Sequence, residues 1–308
     1  MYKQIGILLI LFISIGVGYE LYRHSYVSAG KRIEQGALRD GYKICIVGDT
    51  GTGKKKQYAV AQALENSACD QIRILGDVIY PNGLTGIEDK QFEYKFLKPY
   101  KNLMESEVPF FINLGNHDYR GATEVWVDLA QRHELIKFPG YFWLEIYDDI
   151  CFYNFDTNAY FIAQLRWLNS LEESHKGRCR LKFGFGHHPR YSVGHHGDAY
   201  FAVRTFLDRA LKGFDAYFAG HDHHLSDEGV IEGTHHFISG AGGKLRSIVS
   251  PARPWAVKKS GFLELIFRAP ENADSFFEFK FQGLTSEGEL QELHSGEIEH
   301  QNLDTSEN

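Results

Sequence analysis

Residues 217–225 read Tyr-Phe-Ala-Gly-His-Asp-His-His-Leu. An aromatic, apolar run that meets Gly220 is a buried strand that stops, and His221, Asp222, His223 and His224 stand just beyond the stop. Residues two apart on an extended chain face the same side, so His221 and His223 can serve one site. Imidazole is the commonest neutral metal ligand, and a strand end holds it more rigidly than a free loop. Four upstream stretches repeat the design: Asp49 in Gly-Asp-Thr-Gly, Asp77 with Tyr80 in Gly-Asp-Val-Ile-Tyr, Asn116 with His117 in Gly-Asn-His-Asp, and His187 in Gly-His-His-Pro. Oxygen and nitrogen donors from so many strand ends exceed what one ion takes. Two ions about 3.5–4 Å apart, sharing a carboxylate, use them all, and Asp77, central in the series, is the natural bridge. Such a pair stabilises the attacking and leaving oxygens of an in-line displacement and acidifies bound water, which suits phosphate-ester hydrolysis.

These donors need a frame that ends several strands at one edge. Residues 43–47, 71–75 and 108–114 are short apolar runs, each closed by one of the polar clusters. Helices are predicted over 56–67 and over 90–105, the second interrupted at Pro99. This strand–cluster–helix rhythm predicts an α/β fold whose sheet gathers its polar ends at the carboxyl edge. Alternation in 141–146 and 150–154 around Asp148-Asp149 predicts an antiparallel hairpin. An amphipathic helix over 164–173, a strand over 180–185 and a helix over 204–212 follow. Residues 236–243 read as a strand and glycine-rich turn, and 262–267 and 275–282 as late antiparallel strands. The expected organisation is an apolar segment at 1–22, a linker at 23–40, a catalytic domain at 41–292 and a disordered acidic tail at 293–308.

Net charge is −7 over 308 residues, which disfavours a nucleic-acid partner. An acidic chain that handles phosphate takes its positive charge from elsewhere, and bound metal ions supply it. Cys45, Cys69, Cys151 and Cys179 form no C-x-x-C pair, so thiolate metal sites are not expected; two disulfides are permitted but not required. Residues 5–19 carry no charge. As a helix that run rises about 22 Å, short of the roughly 30 Å hydrocarbon core, whereas residues 2–22 reach about 31 Å. A membrane anchor competes with a signal peptide cleaved after Val27-Ser28-Ala29; the distance from the apolar run to that point favours the anchor. Arg23, Lys31 and Arg32 outweigh Lys3, which by charge alone leaves the catalytic part in the cytoplasm.

The ordered series Gly-Asp-x-Gly, Gly-Asp-x-x-Tyr, Gly-Asn-His-Asp, Gly-His-x-Pro and Gly-His-Asp-His resembles the calcineurin-like metallophosphoesterases. More narrowly it resembles the small, tartrate-resistant purple acid phosphatases: the superfamily opens with Asp-x-His, whereas here Gly51 holds the third position and Tyr80 enters. Phe155-Asp156-Thr157, Trp167 and Ser239-Gly240-Ala241-Gly242 add to the likeness, which spans about residues 41–290. The resemblance implies a four-layer αββα sandwich of two mixed sheets flanked by helices, with the site at the strand carboxyl ends. It implies ferric iron on Asp49, Tyr80 and His223, and ferrous iron, zinc or manganese on Asn116, His187 and His221, with Asp77 bridging. Phenolate is a hard anionic ligand and favours the trivalent ion. Asn116, His117 and His196 are implied substrate contacts, and His117 and His196 the catalytic histidines. The implied activity is hydrolysis of phosphate monoesters, on a phosphorylated small molecule or phosphoprotein, by a monomer. Export is typical of the family, which turns the expectation to a membrane-anchored protein with its catalytic domain outside the cytoplasm.

Asp118 and Asp222 read as turn-forming groups rather than ligands, and His188, His224, His235 and His236 as bystanders. Arg190, Lys244 and Arg246 read as solvated surface. Only six residues separate Thr157 from Gln164, where animal members carry a long loop over the site, so proteolytic activation is not expected. A phosphodiesterase or nucleotide hydrolase on the same fold is an alternative, because substrate choice lives in loops. Gly48–Lys54 also approaches a P-loop, but Lys55 stands where a magnesium-holding hydroxyl belongs and Asp49 puts a carboxylate among the amides.

Overall fold

Strands covered on both faces read as unbroken apolar runs. In the computed structural model, which describes residues 29–174, 177–250, 253–271 and 274–298, β2 (Lys43–Val47), β3 (Gln71–Leu75) and β4 (Phe110–Asn113) are such strands, and they lie parallel. They centre a seven-stranded sheet completed by β5 (Ile136–Lys137), β13 (Gly261–Arg268), β14 (Phe276–Leu284) and β15 (Leu290–Ile298), in the order β15-β14-β13-β2-β3-β4-β5. An eight-stranded sheet holds β1 (Lys31–Gln35), β6 (Trp143–Tyr147), β7 (Ile150–Asn154), β8 (Leu181–Phe185), β9 (Ala216–Ala219), β10 (Leu225–Ile231), β11 (Thr234–Ser239) and β12 (Trp255–Val257). Its order is β1-β6-β7-β8-β9-β11-β10-β12, with β7, β8 and β9 parallel.

Helix α1 (Lys55–Asn66) buries Val60, Ala61, Ala63 and Leu64 against the outer face of the first sheet. Beyond it, α2 (Lys90–Phe92) runs into a π-helical turn, Glu93–Leu97; the chain breaks at Pro99 and resumes as α3 (Lys101–Glu105) and then α4 (Val125–Arg132). On the outer face of the second sheet, α5 (Phe161–Ser174) and α6 (Phe201–Ala210) cover Leu144, Cys151 and Phe155. Between the sheets lies an aromatic core that includes Phe152, Phe183, Phe185, Phe218, Phe237, Phe277 and Phe281. The result is the four-layer αββα sandwich. Two disulfides brace it: Cys45–Cys69 ties β2 to the turn after α1, and Cys151–Cys179 ties β7 to the turn before β8.

One polar group crosses the aromatic core. Arg73 of β3 and Glu145 of β6 are both fully buried and joined by two bonds of 2.7 and 3.2 Å. Trp143 Nε1, Tyr147 Oη and Asn154 Nδ2 also donate to the Glu145 carboxylate, and the guanidinium lies 4.3–4.8 Å from the ring centres of Phe111, Phe152 and Phe185. Both terminal nitrogens of Arg73 and both oxygens of Glu145 are bonded, and the pair links β3 of the first sheet to β6 of the second.

Three expectations change. The linker at 23–40 contains β1, which pairs parallel with β6. At the other end, β15 continues to Ile298 and pairs with β14, so ordered strand enters the stretch read as a tail. The apolar segment 1–22 lies outside the described residues, and among the described residues no helix is long and apolar enough to cross a membrane. The membrane anchor is therefore not shown, and the expectation of a membrane-anchored protein with its catalytic domain outside the cytoplasm is not supported.

Replacing Arg73 by Met leaves the Glu145 charge buried without its counter-ion. Urea unfolding should show a loss of about 3–5 kcal/mol.

Candidate metal centre

The ligand-bearing turns begin where strands run out, and three of them are strained. Asp49 (φ 59°), Asp77 (φ 52°) and His221 (φ 67°) adopt the left-handed conformation, which costs a residue with a side chain about 1–3 kcal/mol. Hydrogen bonds between the turns hold them there. The Asp49 N–H donates to the Gly76 carbonyl at 3.0 Å, and the His221 N–H donates to Asp49 Oδ2 at 2.7 Å. Asp118 accepts from the N–H groups of Val78, Ile79 and Gly115 at 2.9–3.1 Å, which stitches the turn after β3 to the turn after β4. Asp222 likewise accepts from Ser192 Oγ and the His196 N–H. Both carboxylates are turn-forming groups, as expected. Gly51 has a steric reason: a Cβ there would overlap the Val78 carbonyl, and the Gly51 carbonyl accepts the Tyr80 N–H at 2.9 Å, drawing Tyr80 inward.

All seven expected ligands converge, in two groups. In the first, Tyr80 Oη donates to Asp49 Oδ1 at 2.8 Å and lies 3.0 Å from His223 Nε2, which is 3.3 Å from Asp49 Oδ1. In the second, Asn116 Oδ1 lies 3.1 Å from both His187 Nε2 and His221 Nδ1, and the two nitrogens are 3.2 Å apart. Asp77 belongs to both: it clusters with Asp49 and His223, and its Oδ1 is 3.5 Å from His187 Nε2. The Gly48–Lys54 stretch thus delivers a carboxylate to this cluster rather than cradling phosphate with its amides.

The donors ask for positive charge. His187 Nδ1 is 2.8 Å from the Leu75 carbonyl and gives it a proton. Nε2 then faces Asn116 Oδ1 and Asp77 Oδ1 with a lone pair, unless a second proton or a cation sits between them. Burial pushes the His187 imidazole down, but Asp77 and Asp49 outweigh it and hold the group above its ordinary value. Burial and the neighbouring His187, His188, His196 and His223 push His221 far below its ordinary value, so it is the neutral imidazole that binds metal. Burial, then Asp49 and Asp77, drives the Tyr80 phenol far above its ordinary range. It can become phenolate only against concentrated positive charge. Two hard-oxygen and imidazole sets sharing a carboxylate fit a pair of metal ions.

The two catalytic candidates flank the cluster. The His117 N–H donates to Asp77 Oδ1 at 2.8 Å, its Nδ1 meets the Pro81 carbonyl, and its Nε2 is left 3.9 Å from Asp77 Oδ2. His196 lies with its ring 4.3 Å from that of His221, and its Nε2 accepts from Arg246 Nη1 at 3.2 Å. His195, one residue earlier, is exposed, as is His196.

Sequence reasoning underrated three residues. His188, read as a bystander, joins His187 and His221 in the imidazole cluster, with Nδ1 2.9 Å from Thr157 Oγ1. The Phe155-Asp156-Thr157 motif was the available signal. Lys244 and Arg246, read as solvated surface, are half-buried at the mouth: Lys244 Nζ sits 3.2 Å from the centre of the Tyr80 ring. Arg190 pairs with Asp208, and the remaining bystanders hold: His224 bonds Ser226, His235 bonds Asp227, and His236 packs edge-on against Tyr191.

Metal donors presented at the carboxyl ends of two packed sheets define a metal-dependent phosphoesterase. The chain belongs to the calcineurin-like phosphoesterase family, whose pattern it matches over residues 42–225. Purple acid phosphatase 17 of Arabidopsis thaliana is 31% identical over 234 residues, 64% of this chain and 68% of that protein. GAP50, the anchor in the inner membrane complex of Plasmodium, superposes with a TM-score of 0.71 at 19% identity, covering 87% of this chain and 91% of that one. Purple acid phosphatase PPD1 from yellow lupin (Lupinus luteus) seeds superposes at 0.61 and 14% identity, over 86% of this chain and 55% of that one. At these identities the two structures bear on the fold alone.

Asp118 touches no ligand atom of a metal but holds two ligand turns in place. Asp118→Asn puts an amide donor against backbone donors, and metal affinity, read by competition with a chromogenic chelator, should fall about 10- to 100-fold.

Proposed function

We propose that the chain is a binuclear-metal hydrolase of phosphate monoesters, of the purple acid phosphatase kind. The observation that carries this reading is the convergence of seven oxygen and nitrogen donors in two groups that meet at Asp77, with Tyr80 among them. In this reading Asp49, Tyr80 and His223 would hold ferric iron. Asn116, His187 and His221 would hold a second ion, ferrous iron, zinc or manganese, with Asp77 shared. When bound, the ions supply positive charge that draws phosphoryl oxygens and makes water a better nucleophile.

The protein's own groups orient the substrate around that charge. His117 has Nδ1 committed to the Pro81 carbonyl, so its Nε2 is the atom that meets a phosphoryl oxygen. Asn116 keeps its side chain between the two imidazoles of its group and presents its amide to the same oxygens. His196 accepts Arg246 at Nε2 and is held below its ordinary pKa, first by burial. An arriving phosphate dianion reverses that balance, because negative charge beside an imidazole favours its protonated form. His196 can then hand a proton to the departing ester oxygen. Just ahead of α5 the chain makes a tight turn over residues 156–160: Asp156 Oδ1 takes the N–H groups of Asn158 and Ala159, and Gln164 of α5 bonds the Asp156 backbone on both sides. That compact turn suits a site that needs no cleavage to admit substrate.

Elemental analysis of purified protein should find two metal ions per chain, at least one of them iron, with a visible absorption band that Tyr80→Phe abolishes. Hydrolysis of p-nitrophenyl phosphate should exceed that of bis(p-nitrophenyl) phosphate and cease on exhaustive chelation. Two metals with a preference for the diester would move the protein to the phosphodiesterase reading. No stoichiometric metal and no hydrolysis would leave a non-catalytic module on this fold.

A further inference from the structure

The loop between β8 and α6 carries His196 and is fastened from two sides. It closes on itself, with the Ser192 N–H on Asp198 Oδ1 at 2.9 Å and the Gly194 N–H on Ser192 Oγ at 2.9 Å. One side rests on the ligand turn: Asp222 takes the His196 N–H at 3.0 Å, and a Cβ on Gly194 would overlap Asp222 and His224. The other side rests on β10, where Glu228 Oε1 accepts the Val193 N–H at 3.2 Å and the Ser226 hydroxyl at 2.7 Å. Arg253 ties the ends together: its Nε lies 3.4 Å from Glu228 Oε2, and its Nη2 lies 3.6 Å from Asp198 Oδ1. Val249 and Ser250, just ahead of it, give their N–H groups to the Val193 carbonyl at 2.9 and 3.1 Å. This clamp grips the loop at Val193 and at Asp198, on either side of His196.

A carboxylate costs free energy to bury unless its oxygens are well bonded. Glu228 is such a group: burial pushes its carboxyl up to about 7, and Ser226, the Val193 N–H and Arg253 each pull against that rise. An apolar side chain would fill the same place at less cost, but it could hold neither the Val193 N–H nor Arg253. Glu228 and Arg253 touch no metal ligand through these contacts; what they steady is the loop whose His196 ring lies 4.3 Å from that of His221. We propose that Glu228 and Arg253 are positioning residues that fix the 192–198 loop so that His196 stays within reach of the departing ester oxygen. The inference rests on the hydrolase reading above. In that reaction the oxygen of water joins phosphorus, the bond from phosphorus to the ester oxygen breaks, and the electron pair stays on the ester oxygen. The proton that meets it comes from His196; one proton of the water remains with the phosphate, and the other restores His196. An alkyl alcohol leaves only with that proton, whereas p-nitrophenol leaves as its anion. A displaced His196 is therefore felt by an alkyl ester far more than by the nitrophenyl ester.

The test compares kcat/KM of the metal-loaded enzyme for glycerol phosphate with that for p-nitrophenyl phosphate. The ratio of the two should fall about tenfold or more in Arg253→Met and in Glu228→Gln, which removes the charge facing Arg253 but keeps an acceptor for Val193. Arg253→Lys should recover part of the loss. In a His196→Ala background, Arg253→Met should change the ratio no further, because the clamp acts through His196. Equal losses on both esters, or a further fall in the His196→Ala background, overturn the proposal and leave a brace of the fold alone. Hydrogen exchange read by mass spectrometry gives a measure apart from turnover: the 192–198 amides should exchange about tenfold faster in Arg253→Met, and an unchanged rate overturns the clamp. If the wild-type enzyme hydrolyses neither ester, the hydrolase reading fails by itself, and the exchange rates still decide whether Arg253 holds the loop.

Discussion

The hydrogen bond from the His221 N–H to Asp49 Oδ2, 2.7 Å long, joins the carboxyl edge of one sheet to that of the other. It has company: the Gly48 N–H donates to the Ser239 carbonyl at 2.6 Å, and His187 Nδ1 reaches the Leu75 carbonyl at 2.8 Å. The approach is close enough to dictate composition. A Cβ on Gly220 would lie 2.7 Å from the Leu75 carbonyl oxygen and 2.9 Å from Asp49 Oδ2, so side chains are excluded there. The division of donors follows from this seam. The first sheet supplies the oxygens of Asp49, Asp77, Tyr80 and Asn116, and the second supplies the nitrogens of His187, His221 and His223. Neither sheet alone completes either group.

A seam at the edge is only as well defined as the packing beneath it. The Arg73–Glu145 pair sits two residues before the end of β3, and the same strand offers the Leu75 carbonyl to His187 and then turns into Asp77. From Asn154, which touches both Arg73 and Glu145, the chain passes through Phe155 and Asp156 to Thr157, and Thr157 holds His188. Arg73 is thus four residues from the ligand Asp77, and Asn154 is three residues from Thr157, which bonds His188, the neighbour of the ligand His187.

The ligands were legible in the sequence because each strained turn advertises itself. A strand that ends in glycine followed by Asp, Asn or His has few other uses, and the αL backbone at Asp49, Asp77 and His221 is the physical counterpart of those motifs. The central buried strands were legible for the same local reason. What was not legible depends on partners far along the chain. β1 and β15 are half-exposed strands of mixed composition, and pairing with β6 and β14 makes them strands. The disulfides needed Cys45 and Cys69 to be brought 5.8 Å apart at Cα, which only the α1 crossover does. Lys244 and Arg246 follow a glycine-rich turn, where charged residues are ordinarily solvated; their place over Tyr80 and His196 comes from two backbone bonds, from the Gly242 N–H to the Gly48 carbonyl and from the Arg246 N–H to the His223 carbonyl.

The same seam couples metal binding to folding. Bringing unprotonated imidazoles, a phenol and two carboxylates within hydrogen-bond range concentrates lone pairs and negative charge, which by itself favours separating the sheet edges. The Tyr80 hydroxyl offsets part of this by donating to Asp49, and Asp77 and Asp49 hold His187 above its ordinary pKa. Bound cations would replace the Tyr80 proton between these donors and strengthen the contact between the sheets. Stability of the edge and competence of the site are then one quantity measured twice. The hydrogen bonds between the turns hold the strained residues in place, and bound ions would add to that hold.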